Sequence, residues 1–222
     1  MKLVLCSEGF HTQNTIDACV KLVGKPQDQI SIGIINEAYA VEEGDKRWVL
    51  DNLNSVASNF SGEIDIVNLL ALSTEEVEKR LADKDVIFAV GGDTDYLMAV
   101  YRKTGFDKLL PKLLATKVYI GSSAGSMVIG KRISAAAYKL IYGEDGRYGI
   151  EEYVGLVDLS VMPHLDSPNF PNRKESLLEA VGSFEGKVYA LRDDSAVVVD
   201  GESIYTIGSE PIIIENGELV SG

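Results

Sequence analysis

Val118-Tyr119-Ile120-Gly121-Ser122-Ser123-Ala124-Gly125-Ser126-Met127-Val128 is the stretch on which the reading of this chain turns. An apolar run passes through a GxSxG turn into small and apolar residues, the pattern of a strand, a sharp elbow and a helix. Glycines two positions either side of Ser123 leave room for strand and helix to pack closely, and the serine is lifted above the sheet. The amide of the next residue, Ala124, faces the same space. Acyl transfer needs this pairing of a nucleophile and an oxyanion donor, both about 3 Å from one reacting carbon. Ser123 is therefore the expected nucleophile. Ser122 and Ser126 are neighbours, but the spacing selects Ser123.

Working outward, residues 2–6, 30–35, 64–70, 85–90 and 117–120 are apolar and read as strands. Helical patterns separate them near 14–22, over 46–60 (apolar at Trp48, Leu50, Leu53 and Val56), from Ser73-Thr74-Glu75-Glu76, and after Thr94. Ser73 followed by acidic residues is a capped helix start. Apolar strands alternating with helices predict a doubly wound α/β fold with a mainly parallel sheet covered on both faces. The last third changes character. Residues 154–162, 187–191, 196–199, 203–207 and 212–215 read as short strands, and Asp200-Gly201 and Asn216-Gly217 as hairpin turns. They predict antiparallel C-terminal strands at the edge of the sheet, within a single domain over 1–222.

The bulk numbers narrow the function classes. The chain has 222 residues, 45% hydrophobic and 25% charged, as expected of a water-soluble enzyme. Its net charge of −13 repels phosphate backbones and anionic lipid, so neither nucleic acid nor membrane is an expected partner. An acidic substrate would have to be met by local Arg or Lys. Cys6 and Cys19 lack a metal-type spacing and read as buried free thiols. No stretch reaches membrane-span length, and Met1-Lys2-Leu3-Val4-Leu5 enters a strand without a leader pattern, so a cytoplasmic protein is expected.

Ligands of parallel α/β sheets bind outside the carboxyl ends of the strands. A second loop at such an end is Gly91-Gly92-Asp93-Thr94-Asp95, where paired glycines let the backbone approach a ligand and the following helix turns its free amides toward it. A serine nucleophile needs a base, and the chain offers His11 and His164. His164, in Val161-Met162-Pro163-His164-Leu165-Asp166, follows an apolar strand and is preferred; His11 lies in what reads as an ordinary connecting loop. The orienting acid stays open among Asp166, Glu144, Asp145, Asp193 and Asp194. Glu144 and Asp145 would give the order Ser, acid, His.

Taken together, the Gly-Gly-Asp-Thr loop, the Gly-Ser-Ser-Ala-Gly-Ser elbow and Pro163-His164 resemble the dipeptidase E (α-aspartyl dipeptidase) and cyanophycinase family of serine peptidases. The likeness runs over most of the chain, including Leu191-Arg192-Asp193-Asp194-Ser195-Ala196. It implies a class I glutamine amidotransferase-like (flavodoxin-like) fold with Ser123 as nucleophile and His164 as base. It also implies an oxyanion hole from the amides of Gly91 or Gly92 and of Ala124. The family's triad acid falls here on Tyr138, and where the family loop commonly runs three glycines then Asn-Thr this chain has Val90-Gly91-Gly92-Asp93-Thr94, which leaves open which glycine amide donates and makes Asp93 a candidate substrate-binding charge. Arg173 stands near an arginine of the family and could bind a substrate carboxylate bidentately. The expectation is a serine peptidase acting on short peptides, with an acidic residue beside the scissile bond and with no metal or cofactor; a homodimer is compatible with it. An α/β-hydrolase-type esterase and a non-catalytic binding homologue are the alternatives.

Overall fold

The computed structural model describes residues 1–143 and 146–221. Its main sheet is built from β1 (Lys2–Cys6), β2 (Ile32–Ile35), β3 (Ile64–Ile66), β4 (Val86–Ala89), β5 (Val118–Ser122), β8 (Ala196–Asp200) and β9 (Ser203–Ile207). These seven strands lie in the order β3-β2-β4-β5-β1-β8-β9. The first five pair in parallel, and β8 and β9 add antiparallel strands at the β1 edge. This is the doubly wound α/β arrangement expected.

Alternation along the central strands explains why both faces are covered. On β1, Leu3 and Leu5 enter one core while Val4 and Cys6 enter the other. On β4, Ile87 and Ala89 join the first, and Val86 and Phe88 the second. Successive side chains point to opposite faces, so a strand apolar at every position must be sandwiched. Helix α1 (Gln13–Val23) and helix α2 (Arg47–Asn59) cover the second face through Ile16, Cys19, Leu22 and Val56. Helices α3 (Thr74–Ala82), α4 (Thr94–Thr104) and α5 (Phe106–Leu113) cover the first. The helix starts are chemically marked: Thr12, Ser73 and Asp93 accept backbone N–H bonds in the first turns of α1, α3 and α4. Cys6 and Cys19 are buried and unpaired with each other, and burial pushes the Cys6 thiol up to about 12. Among the described residues no helix is long and apolar enough to cross a membrane.

The C-terminal third departs from a simple edge extension. Strands β6 (Ser160–Met162), β7 (Lys187–Ala190), β10 (Ile212–Glu215) and β11 (Glu218–Ser221) form a separate four-stranded sheet, ordered β11-β10-β7-β6. The short helix α6 (Ala124–Met127) follows the elbow, and α7 (Ala135–Tyr142) and α8 (Arg173–Glu179) pack against the second sheet around Met162, Val188 and Ile214. The expected strand over 154–162 shrinks to its last three residues. Gly155 is left-handed, and Val154, Gly155 and Leu156 donate to the carbonyls of Val128, Gly130 and Ile129 instead of joining the sheet. The β6–β7 pair is parallel, with Met162 opposite Ala190, and this pairing aims two strand ends at the elbow.

Candidate active site

Ser123 sits between β5 and α6 with φ 49 and ψ −113, a conformation side chains rarely adopt. The surroundings over-determine it. Its amide faces the carbonyls of Cys6 (3.1 Å) and Ser7 (3.0 Å), Ser126 Oγ donates to Cys6 O (2.7 Å), and Tyr119 OH donates to Gly125 O (2.7 Å). Strain at such a point persists only under this kind of anchorage. Both flanking glycines are demanded by packing: a methyl on Gly121 would lie 2.6 Å from the Gly125 carbonyl, and one on Gly125 would lie 2.2 Å from Ala89 O. The result is a half-buried serine standing over the carboxyl ends of β1, β4 and β5.

His164 arrives from the second sheet. It lies just past β6 in a left-handed conformation (φ 65), and its amide donates to Ser7 Oγ at 2.9 Å. Its Nε2 is 3.0 Å from Ser123 Oγ, and its Nδ1 is 2.7 Å from Asp193 Oδ1. Asp193 follows β7, the strand running parallel to β6, so both side chains leave the second sheet in the same direction. Ser7 Oγ donates to the same carboxylate oxygen at 3.0 Å. Burial works to raise the Asp193 carboxyl, but the hydrogen bond and charge of His164 outweigh it and hold the group below the ordinary aspartate value. An ionised Asp193 fixes the Nδ1–H tautomer, leaving Nε2 to accept a proton from Ser123.

The carboxylate bonded to His164 Nδ1 is thus that of Asp193, one of the five acids left open in the sequence. Asp166 turns away from the histidine to pair with Arg192 at the surface, because the chain bends immediately after His164 to bond Leu165 N to Leu191 O. Glu144 and Asp145 lie outside the described residues. Asp194 accepts from Ser209 Oγ and points elsewhere. Tyr138 is buried under the Arg132 guanidinium, 4.3 Å from its ring centre, and takes no part at His164. His11 is exposed on the loop after β1, without a hydrogen bond to Ser123. Ser7 escapes sequence reasoning; its only signal there is a small polar residue directly after the strand beside the elbow.

Gly91 and Gly92 divide their duties. A methyl on Gly91 would lie 3.1 Å from Ser123 Cβ and 3.6 Å from its Oγ, so this residue faces the serine. Gly92 has φ 135 and a methyl there would lie 2.3 Å from the Ala38 carbonyl, so it is a packing and turn glycine. Among the described residues neither amide donates to a protein acceptor. Ala124 is the first residue of α6, a position whose N–H has no partner within the helix. Asp93 caps α4, accepting from Tyr96 N at 2.8 Å and lying 3.5 Å from Arg147 Nη1.

Over the histidine lies a stack of rings and cations. Phe170 stacks on His164 with centroids 4.8 Å apart and planes 20° from parallel. Arg173 lies between Phe170 (4.8 Å) and Tyr142 (4.6 Å), largely buried. No carboxylate among the described residues pairs with it. Glu8, His164 and Asp193 offer ligand atoms all within 4.8 Å of one another.

Comparison with known proteins gives the family. Residues 7–207 match the family model described as Peptidase family S51. An uncharacterised peptidase of Pasteurella multocida is 28% identical over 204 residues, covering 91% of this chain and 96% of the relative. An uncharacterised peptidase of Listeria monocytogenes is 30% identical over 149 residues, 64% of this chain and 70% of the relative. Among solved structures, a candidate peptidase E protein from Listeria monocytogenes superposes with a TM-score of 0.73 at 22% identity, covering 93% of this chain and 97% of that one. A peptidase from an acI-B1 actinobacterium gives 0.65 at 17% identity, with 100% and 96% covered. At those identities the two structures bear on the fold alone.

Proposed function

The chain belongs to peptidase family S51 and is a peptidase, and from that premise we propose that it cleaves short peptides by acyl transfer through Ser123. Ser123 Oγ attacks the scissile carbonyl while His164 Nε2 takes its proton. The tetrahedral oxyanion is held by the amides of Gly91 or Gly92 and of Ala124. His164 then returns the proton to the leaving amine, and an acyl-enzyme remains. A water attacks next, with His164 again as base, and the acid product leaves. Asp193 stays ionised throughout and holds the imidazole in register.

One observation carries this reading: the unbroken chain Ser123 Oγ–His164 Nε2 (3.0 Å) and His164 Nδ1–Asp193 Oδ1 (2.7 Å), on a serine held in a strained elbow. The Asp193 carboxylate on His164 Nδ1 supports the catalytic reading over a non-catalytic homologue, for which the missing carboxylate at Tyr138 was the support.

The finer part of the proposal is a dipeptidase-like preference for an acidic side chain beside the scissile bond. It is supported by Arg173, a guanidinium with no carboxylate partner among the described residues, clamped between two rings. One of those rings lies on the base, so the cation stands one aromatic thickness from His164. In a chain of net charge −13, such a local cation is what an acidic substrate requires. The test is a dipeptide-library hydrolysis screen with wild type and Ser123→Ala side by side. Hydrolysis of Asp-containing dipeptides that disappears in the variant supports the reading; equal turnover by both proteins rejects it.

A further inference from the structure

Glu8 has no evident reason to be where it is. It follows Ser7 on the loop after β1, half-buried, with one carboxylate oxygen within 4.8 Å of a His164 ring nitrogen and of an Asp193 oxygen. No Lys or Arg among the described residues pairs with it. Two carboxylates thus stand close to one imidazole and to each other, and only Asp193 is hydrogen-bonded to the ring.

The other charges nearby do not relieve this crowding. Arg192 is taken by Asp166, Asp194 accepts from Ser209, and His11, on the same loop as Glu8, is exposed. The groups that act on Glu8 are Asp193, which repels its charge, and His164, which attracts it. A half-buried anion beside a second anion is unfavourable unless a proton or a cation joins them. In the resting site His164 is the neutral base. When it takes the proton of Ser123 it becomes a cation facing both carboxylates, and the repulsion between them is offset. A group unfavourable in the resting state and favourable in the transition state accelerates the chemical step.

Resting on the serine-peptidase reading above, we propose that Glu8 is a positioning residue for the reaction, a second carboxylate close to His164 that stabilises the imidazolium formed when Ser123 attacks. It acts through the base.

The experiment compares wild type, Glu8→Gln, Glu8→Asp and Ser123→Ala by the rate of covalent labelling with a fluorophosphonate probe across pH. Labelling needs the serine and its base but no knowledge of the natural substrate. Glu8→Gln is expected to label about tenfold more slowly at neutral pH. Glu8→Asp is expected to recover part of the rate, which a merely structural role would not produce. A Glu8→Gln profile superimposable on wild type overturns the proposal while leaving the nucleophile intact. Wild type that labels no faster than Ser123→Ala overturns the serine reading, and the role of Glu8 with it.

Discussion

The backbone amide of His164 donates to the hydroxyl of Ser7 at 2.9 Å, and this bond joins the two sheets at the reacting centre. Ser7 ends the strand beside the elbow, while His164 ends a strand of the second sheet. The same hydroxyl donates onward to Asp193 at 3.0 Å, so one buried serine aligns the base and its acid. Ser7→Ala leaves His164 N and one lone pair of Asp193 unsatisfied. A stability loss of about 1–3 kcal/mol is expected, together with a fall in kcat at nearly constant KM. Urea unfolding and steady-state kinetics on the same preparations check both.

The two rival carboxylates make opposite predictions. Asp193→Asn keeps the shape but favours the wrong histidine tautomer, and kcat should drop by about 10³–10⁴. Asp166→Asn removes only a surface pair with Arg192, worth about 0–1 kcal/mol, and its kcat should match wild type. Reversed outcomes would return the acid to Asp166.

Why Asp193 is hard to pick out of the sequence has a physical explanation. The elbow and the Gly91-Gly92 loop are legible because each stands between an apolar strand and a helix, a local pattern, although the contacts that demand Gly92 and Gly125, with Ala38 and Ala89, are long-range. The strand β6 that delivers His164 is legible as an apolar run before Pro163. Its parallel partner β7 is legible as a strand too, but not as a partner, since pairing is a non-local property and hairpin turns nearby suggest antiparallel neighbours. Without that pairing, Asp193 is one of several strand-end carboxylates. Glu8 and Ser7 are hidden for a related reason. A Ser-Glu-Gly loop looks ordinary until the fold sets it beside the base.

Two glycines separate folding from chemistry. Gly125→Ala forces a methyl to within 2.2 Å of Ala89 O, backbone that cannot yield, and should cost about 1–3 kcal/mol or more. Gly91→Ala meets Ser123 Cβ at 3.1 Å, which slight adjustment accommodates, but it fills the space beside the hydroxyl. Its thermal midpoint should stay near wild type while labelling of Ser123 slows on the order of tenfold or more. A Gly91→Ala protein that labels at the wild-type rate would move the oxyanion site elsewhere.

Stability should depend on pH with opposite signs at the two carboxylates. Asp193 is held below its unfolded value, so its contribution is present above that value and fades as pH falls through the lowered one. Glu8 is raised, so the folded protein binds its proton more tightly than the unfolded chain. Its effect is therefore a loss of stability as pH rises from the ordinary glutamate value through the raised one. Glu8→Gln should thus be more stable than wild type at neutral pH, with the gap closing in acid. Urea midpoints at several pH values test this, and a gap that is constant or reversed in sign rejects it.

Selectivity should reside in Arg173. Arg173→Met keeps the stem between Phe170 and Tyr142 but removes the cation. Hydrolysis of Asp-containing dipeptides should weaken relative to their Asn counterparts by roughly tenfold to a hundredfold. An unchanged ratio would place acid recognition elsewhere or remove it.

The most direct test of Ser123 as the nucleophile is peptide mapping by mass spectrometry after fluorophosphonate treatment of the folded wild-type protein, with peptide hydrolysis measured in parallel. A single adduct on Ser123, accompanied by loss of hydrolysis, is the predicted result. No adduct on Ser123, or hydrolysis that continues with Ser123 fully modified, would contradict it.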